Sequence, residues 1–180
     1  MDLTSLQTER LRLRGYQTSD IAPLVPLIGA REVAATTLRI PHPYGEREAR
    51  QFLAIVEQHH ASGECLHLAI LLRESGTLVG GVGLRLEQEH RRAELGYWIG
   101  VPHWGKGYAT EAARAVVQHG FKKLGLHRIY AGHFVGNQAS ANVLRKIGMR
   151  HEGCQRAHIL KWGKFLDQEL YGMLAPDARD

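Results

Sequence analysis

Leu11 and Leu13 alternate with Arg10, Arg12 and Arg14 across residues 9–16. That period of two predicts a half-buried strand near a sheet edge, where arginines discourage pairing with another chain. The period then changes. Thr18, Ser19 and Asp20 are favoured helix caps and predict a first helix running to about Ile28, made irregular by Pro23 and Pro26. Residues 40–45 read as a rigid, proline-bounded loop. Ala49, Phe52, Leu53 and Val56 then recur at helical spacing and predict a helix over residues 46–60, ended by Gly63. Alternation returns over residues 66–72, 78–86 and 92–100, with turns at 74–76 and 88–91, which predicts an antiparallel meander. The clearest helix spans residues 109–124, where Ala109, Ala112, Ala113, Val116, Val117, Gly120, Phe121 and Leu124 share one face, and Gly125 closes it. A strand over 127–135, a short helix over 138–147 ending in Arg145, Lys146 and Gly148, and strands over 150–158 and 168–174 complete the pattern. Strands alternating with helices, without internal repeat or linker, predict one α/β domain over residues 1–180, a mixed and largely antiparallel sheet flanked by helices.

Composition narrows the class. With 44% hydrophobic and 23% charged residues, the 180-residue chain reads as globular and excludes a disordered or disulfide-framework protein. No stretch approaches the roughly 18 apolar residues of a membrane span, and the opening Met-Asp-Leu-Thr-Ser-Leu lacks the basic and apolar regions of an export signal, so a cytoplasmic protein without membrane partners is expected. Cys65 and Cys154 belong to no C-x-x-C pair and read as buried small hydrophobes in a reducing compartment. Against 18 acidic residues stand 23 basic ones, a net +5 that favours anionic ligands. Because the basic residues are spread along the chain rather than gathered on one aromatic-laced face, a nucleic-acid partner is not expected. The histidines, His59, His60, His127, His133, His151 and His158 among them, show no H-E-x-x-H and no Cys/His cluster in sequence, so no metal site is predicted.

The chemistry concentrates in residues 100–111, Gly-Val-Pro-His-Trp-Gly-Lys-Gly-Tyr-Ala-Thr-Glu, between a strand and the strongest helix. Gly105 and Gly107 let backbone amides converge on a ligand, the helix start adds its positive dipole, and Lys106 adds a mobile cation: the makings of a phosphate cradle, with a plain tight turn as the alternative. Gly107 stands where a P-loop would carry the magnesium-binding hydroxyl, which argues against a nucleotide hydrolase. The dinucleotide fingerprint lacks its third glycine and its ribose-binding acid.

At this point the chain resembles the GNAT N-acetyltransferases, and among them the branch similar to the ribosomal-protein acetyltransferases RimJ and RimL. The likeness rests, in order, on residues 93–100 (Ala-Glu-Leu-Gly-Tyr-Trp-Ile-Gly), on 104–112 (Trp-Gly-Lys-Gly-Tyr-Ala-Thr-Glu-Ala) and on Asn137-Gln138-Ala139-Ser140. It continues through Lys146-Ile147-Gly148-Met149, with Glu152, Gly153 and Arg156. The resemblance implies a sheet with a splayed central strand pair. It also implies acetyl-CoA as cosubstrate, its diphosphate held by amides of Trp104, Gly105, Lys106, Gly107, Tyr108, Ala109 and Thr110 and its pantetheine arm lying between the strands near Gly100 and Ile129. Asn137 matches a coenzyme contact as well as a helix cap. Where the family usually carries Gln or Arg this chain has Trp104, so the backbone is expected to do the binding there.

The acceptor implied is a primary amine, on a protein N-terminus or a small molecule, and such amines are protonated at neutral pH, with pKa values of about 8 to 10.4. Glu94 is the candidate base if burial raises its pKa, and reads equally as a surface carboxylate paired with Arg91 or Arg92. An N–H of Ile99 or Gly100 is the candidate donor to the thioester oxygen, and Ser140 the candidate donor to the leaving thiolate, with helix capping as its alternative. A glutamate some similar enzymes place after the Glu-Gly-x-x-Arg segment is replaced here by Ile159. Tyr97 and Trp98 occupy opposite strand faces as packing residues, one of them lining the acceptor cleft, and His42 and Tyr44 match an acceptor-side loop. A non-catalytic coenzyme-A-binding module of the same fold is the competing reading, and a homodimer is the assembly similar proteins suggest.

Overall fold

A computed structural model describes residues 5–178; the opening residues 1–4, read above for a targeting signal, lie outside it. Eight strands form one sheet in the order β1-β2-β3-β4-β5-β6-β8-β7. They are β1 (Leu6–Gln7), β2 (Leu11–Arg14), β3 (Cys65–Leu72), β4 (Leu78–Glu87), β5 (Arg92–Ile99), β6 (Arg128–Phe134), β7 (Arg150–Lys161) and β8 (Lys164–Leu174). Every neighbouring pair is antiparallel except β5 and β6, so the expected mixed, largely antiparallel sheet is what forms. The predicted meander is β3–β4–β5. Helices α1 (Ile21–Ile28), α2 (Arg31–Thr36) and α3 (Glu46–Ser62) cover one face, and α4 (Tyr108–Lys122) with α5 (Gln138–Lys146) the other.

The period-two pattern decides which side chains go where. On β3, Leu66, Leu68 and Ile70 enter the core beneath α4, while Ala69 and Leu71 pack under α1 and α3. Buried along α4 are Ala112, Ala113, Val116, Val117 and Gly120, the stripe read from the sequence. At Gly120 the helix packs closely on the sheet, since a β-carbon there would stand 2.8 Å from Ile129 Cδ1.

Four expectations change. α1 is a regular helix despite its prolines: Pro23 lies in the first turn, where the N–H has no intrahelical partner anyway, so only Pro26 removes a bond. α2 and β1 were not predicted, both being too short for a period to show. β7 and β8 run beyond the predicted 150–158 and 168–174 into a long hairpin turning at Trp162-Gly163, so residues 159–161 and 164–167 are strand as well. Finally, Arg14 does not face solvent. It grips Asp20 bidentately at 2.7 and 2.8 Å, and Asp20, 4% exposed, also accepts from Gln17 N at 2.8 Å instead of capping the helix with its side chain. No helix among the described residues is long and apolar enough to cross a membrane.

Removing one member of a buried pair leaves the other charge uncompensated. Asp20→Ala is therefore expected to lower unfolding free energy by about 3–5 kcal/mol in urea titrations, and the double replacement Arg14→Met/Asp20→Leu by clearly less.

Candidate active site

The loop after β5 has the form the sequence suggested. Gly105 (φ 74°) and Gly107 (φ 81°) adopt left-handed backbone that disfavours side chains. A β-carbon on Gly105 would meet nothing within 4 Å, so the space above the loop is open. Gly107 is the N-cap of α4 and brings no side-chain cap. The amides from Gly105 to Thr110 find no acceptor among the described residues, and they lie at the positive end of the helix dipole beside exposed Lys106. Six successive donors without a protein acceptor, at a helix start, form an anion-binding geometry. Trp104 differs from expectation: its amide donates to Val101 O at 3.2 Å and its indole Nε1 to Ile99 O at 2.6 Å, so it staples the loop to the strand instead of joining the cradle.

Arg10 carries a second brace that periodicity does not reveal. Its guanidinium donates to Lys106 O at 3.0 Å and to Glu111 Oε2 at 2.7 Å, and Glu111 Oε1 also accepts from Thr8 Oγ1 at 2.6 Å and Arg10 N at 2.8 Å. The β1–β2 turn thus holds the first turn of α4 and the carbonyl of the loop before it.

Behind the cradle, β5 and β6 part. Their parallel pairing covers Arg92–Glu94 against Arg128–Tyr130 and stops. The slot therefore opens beyond Tyr130, whereas Ile129, expected at its edge, is paired with Ala93. The Gly100 amide donates to Val79 O at 2.9 Å, which removes Gly100 as an oxyanion donor. By strand alternation the Tyr97 and Ile99 amides point the other way, into the slot. Gly100 has a packing role instead: a β-carbon there would lie 2.7 Å from Leu27 Cδ2.

Across the slot, Ser140 Oγ lies 2.7 Å from Tyr97 Oη. Burial pushes the Tyr97 phenol up to about 12, so it stays protonated. Donating to Ser140 Oγ, Tyr97 would leave the serine proton free to point elsewhere. Asn137 Oδ1 accepts from Ser140 N at 3.1 Å, so Asn137 is the α5 cap, with its amide nitrogen still available.

On the α1/α3 side the slot opens into a cavity of about 580 Å³. Its floor is β4 and β5 with Gly81, Gly83 and Gly96, and its walls include Tyr16, Phe52 and Trp98 from one side and Phe134 from the other. Of the two residues read as an acceptor-side loop, Tyr44 lines this cavity, while His42 approaches the Trp162 ring at 6.5 Å. Glu94 stands in this cavity, paired with neither Arg91 nor Arg92. Arg92 bonds Glu87, and Arg91 bonds Gly125 O. Arg85 lies directly opposite Glu94 in the β4–β5 register and reaches its Oε2 at 2.7 and 3.1 Å, joined by Arg39 at 3.0 Å. Burial pushes the Glu94 carboxyl up, but hydrogen bonds and charge from Arg85 and Arg39 pull harder, and the net position is below the ordinary carboxylate range. The raised pKa that would make it a strong base is absent. All three donors crowd onto Oε2, and Oε1 has none among the described residues.

Ile159, where a distal glutamate was sought, is buried. The absence of a Cys/His cluster in the sequence is also not the whole picture, because the fold gathers the donor atoms of His59, Cys65 and His67 within 4.8 Å of one another on the cavity wall. Arg85 was legible in principle, as the cross-strand partner of Glu94 in a hairpin of known turn. Arg39 was not, since it arrives from the segment after α2.

A profile of the acetyltransferase (GNAT) domain family matches residues 10–150. The N-acetyltransferase p20 of Bacillus licheniformis is 30% identical over 174 residues, covering 96% of this chain and 97% of that protein. A GNAT-family acetyltransferase from Bacillus anthracis superposes with a TM-score of 0.85 at 26% identity, over 96% of this chain and 99% of that one. RimJ of Mycobacterium smegmatis, solved with CoA-disulfide, shares the fold with a TM-score of 0.85 at 23% identity, over 94% and 84%.

Gly107→Glu combines a strained φ with a carboxylate at the cradle. It is expected to weaken coenzyme A binding by about 100-fold or more in calorimetry, with little change in melting temperature because the loop lies outside the core.

Proposed function

The chain belongs to the GNAT acetyltransferase family and is an acetyl-CoA-dependent acyltransferase, and on that premise we propose that it N-acetylates one primary amine by direct attack within a ternary complex. The acceptor is the α-amine of a polypeptide or the amine of a small molecule. The observation that carries this reading is that an open amide cradle and a carboxylate-bearing cavity meet at the same parted strands. The cosubstrate supplies an activated acyl thioester, and the remaining requirements fall to the protein.

Main-chain donors from Gly105 to Thr110 with Lys106 hold the diphosphate, and Asn137 Nδ2 is available to the pantetheine arm. The inward amides of Tyr97 and Ile99 are placed to stabilise charge on the carbonyl oxygen. Glu94 is ionised throughout the neutral range, and its free Oε1 accepts a hydrogen bond from the incoming amine, fixing its orientation. The carboxylate is too weakly basic to store the amine's proton at neutral pH, so that proton passes on to water. Ser140, relayed by protonated Tyr97, donates to the departing sulfur.

Charge limits the acceptor. The cavity's carboxylates are Glu94, shared by two guanidiniums, and Glu48, whose Oε2 accepts from Gly45 N at 2.9 Å in capping α3. Neither is free to hold a second ammonium, while aromatic rings suit an apolar body. A single amine on an apolar or aromatic framework fits, and a polyamine does not.

Thiol release from acetyl-CoA against an amine panel tests this. Aromatic monoamines or N-terminal peptides are expected to exceed spermidine by about tenfold or more in kcat/KM. Release with no acceptor of any class would favour a coenzyme-binding module. Glu94→Gln should lower kcat/KM by about 10- to 100-fold with coenzyme affinity unchanged. Because the Glu94 carboxyl lies low, the pH profile of the parent enzyme should rise with the amine's own ionisation, at about pH 8 for an α-amine, without a carboxylate limb near neutrality. A limb near pH 6 that disappears in Glu94→Gln would show that Glu94 is a strong base after all.

A further inference from the structure

Three soft or borderline donors sit on the cavity wall away from the cradle, unused by acyl transfer. His59 lies in the last turn of α3. Gly63, in left-handed conformation (φ 70°), ends that helix, with Glu64 N donating to His59 O at 3.1 Å, and the chain enters β3 at once. Cys65 and His67, two apart on β3, therefore share one face directly below His59. The turn is held from the other side, since Leu86 N donates to Glu64 O at 2.7 Å and Gln88 Nε2 to Gly63 O at 3.0 Å. The two imidazoles stack with centroids 6.2 Å apart, and the three donor atoms lie within 4.8 Å of one another.

Neither imidazole is engaged in a side-chain hydrogen bond among the described residues. His59 Nδ1 is buried with no partner, while its Nε2 faces outward, 3.8 Å from Glu64 Oε2. Cys65 is buried and forms no disulfide.

We propose that His59, Cys65 and His67 form a three-ligand site for a thiophilic metal ion, zinc(II) in the first instance, whose remaining coordination position opens into the acceptor cavity. The donor set is the two-imidazole, one-thiolate type zinc accepts, spaced H-x5-C-x-H along the chain. A tetrahedral zinc with bonds of about 2.0–2.3 Å holds its donors roughly 3.3–3.6 Å apart, so the three side chains must draw together from separations of up to 4.8 Å. Binding forms one Zn–S and two Zn–N bonds and releases the thiol proton to solvent. Glu64, beside the outer nitrogen of His59, is placed to orient that ring as outer-shell carboxylates do. Arg39 and Arg85, near enough to influence Cys65, oppose any hard cation held by charge alone. Selection therefore falls to sulfur bonding. An ion here would narrow the cavity that receives the amine; only this consequence rests on the acetyltransferase reading.

Cobalt(II) titration of the intact protein reads the site without any turnover. One ion per chain is expected, with a thiolate-to-cobalt charge-transfer band that zinc(II) bleaches on displacement. Cys65→Ser should abolish the band, and His67→Gln and His59→Gln should each weaken zinc affinity at least about tenfold in competition with a chromogenic chelator. Cys154→Ser, at a cysteine that stands exposed on β7 rather than buried as the sequence suggested, should change nothing. Circular dichroism establishes that each variant folds. Absence of the band at millimolar cobalt, or a band that survives Cys65→Ser and is lost in Cys154→Ser, would overturn the site while leaving the acyl-transfer reading intact.

Discussion

The separation of β5 from β6 after three paired residues is the constraint on which the rest depends. Each strand is fully paired on its other side, β5 with β4 and β6 with β8. Neither can close the gap without giving up a complete ladder. The inward amides of Tyr97 and Ile99 are left without strand partners, and unpaired buried amides are costly unless something meets them. The protein bridges the slot with side chains instead, through the Tyr97–Ser140 hydroxyl pair. A ligand with amides and carbonyls of its own could complete the pairing, so the fold's local deficit becomes its binding capacity.

The cavity beside that slot is produced by glycine as much as by its walls. Gly83 and Gly96 face each other across β4 and β5, and Gly81 faces Trp98. A β-carbon on Gly96 would enter empty space, whereas one on Gly81 would lie 2.1 Å from Tyr16 Oη and 2.6 Å from Trp98 Nε1. One glycine therefore keeps volume open and the other admits the aromatic wall. Onto this bare floor the register places Arg85 against Glu94, and Arg39 closes over both. Two guanidiniums on one carboxylate oxygen settle its ionisation and leave the other oxygen to a substrate, which suits an orienting role better than proton storage.

Much of this was readable along the chain. The α4 stripe, the meander, the Gly-Lys-Gly loop and the α5 cap at Asn137 all arise from contacts a few residues apart, where spacing maps directly onto geometry. Arg14 escaped because period two says which face a side chain leaves from, not whether another segment then covers that face; Asp20 covers it. Trp104 escaped for a similar reason, its indole reaching back to a strand carbonyl that no motif marks. The short elements β1 and α2 are held by neighbours and carry no period of their own.

What the amino-acid order determined alone was local: which residues become strand or helix, where backbone must turn left-handed, and where successive amides stand bare at a helix start. What only the tertiary structure decided was who meets whom across long separations: Arg10 with Glu111, Arg39 with Glu94, Tyr97 with Ser140 and His59 with His67. The physical reason is that proton affinity, ion pairing and metal ligation depend on distances of a few ångströms and on burial, quantities set by how the sheet stacks its register and parts its strands. A carboxylate's place in a motif names a candidate; the guanidiniums packed against it determine what that carboxylate can do.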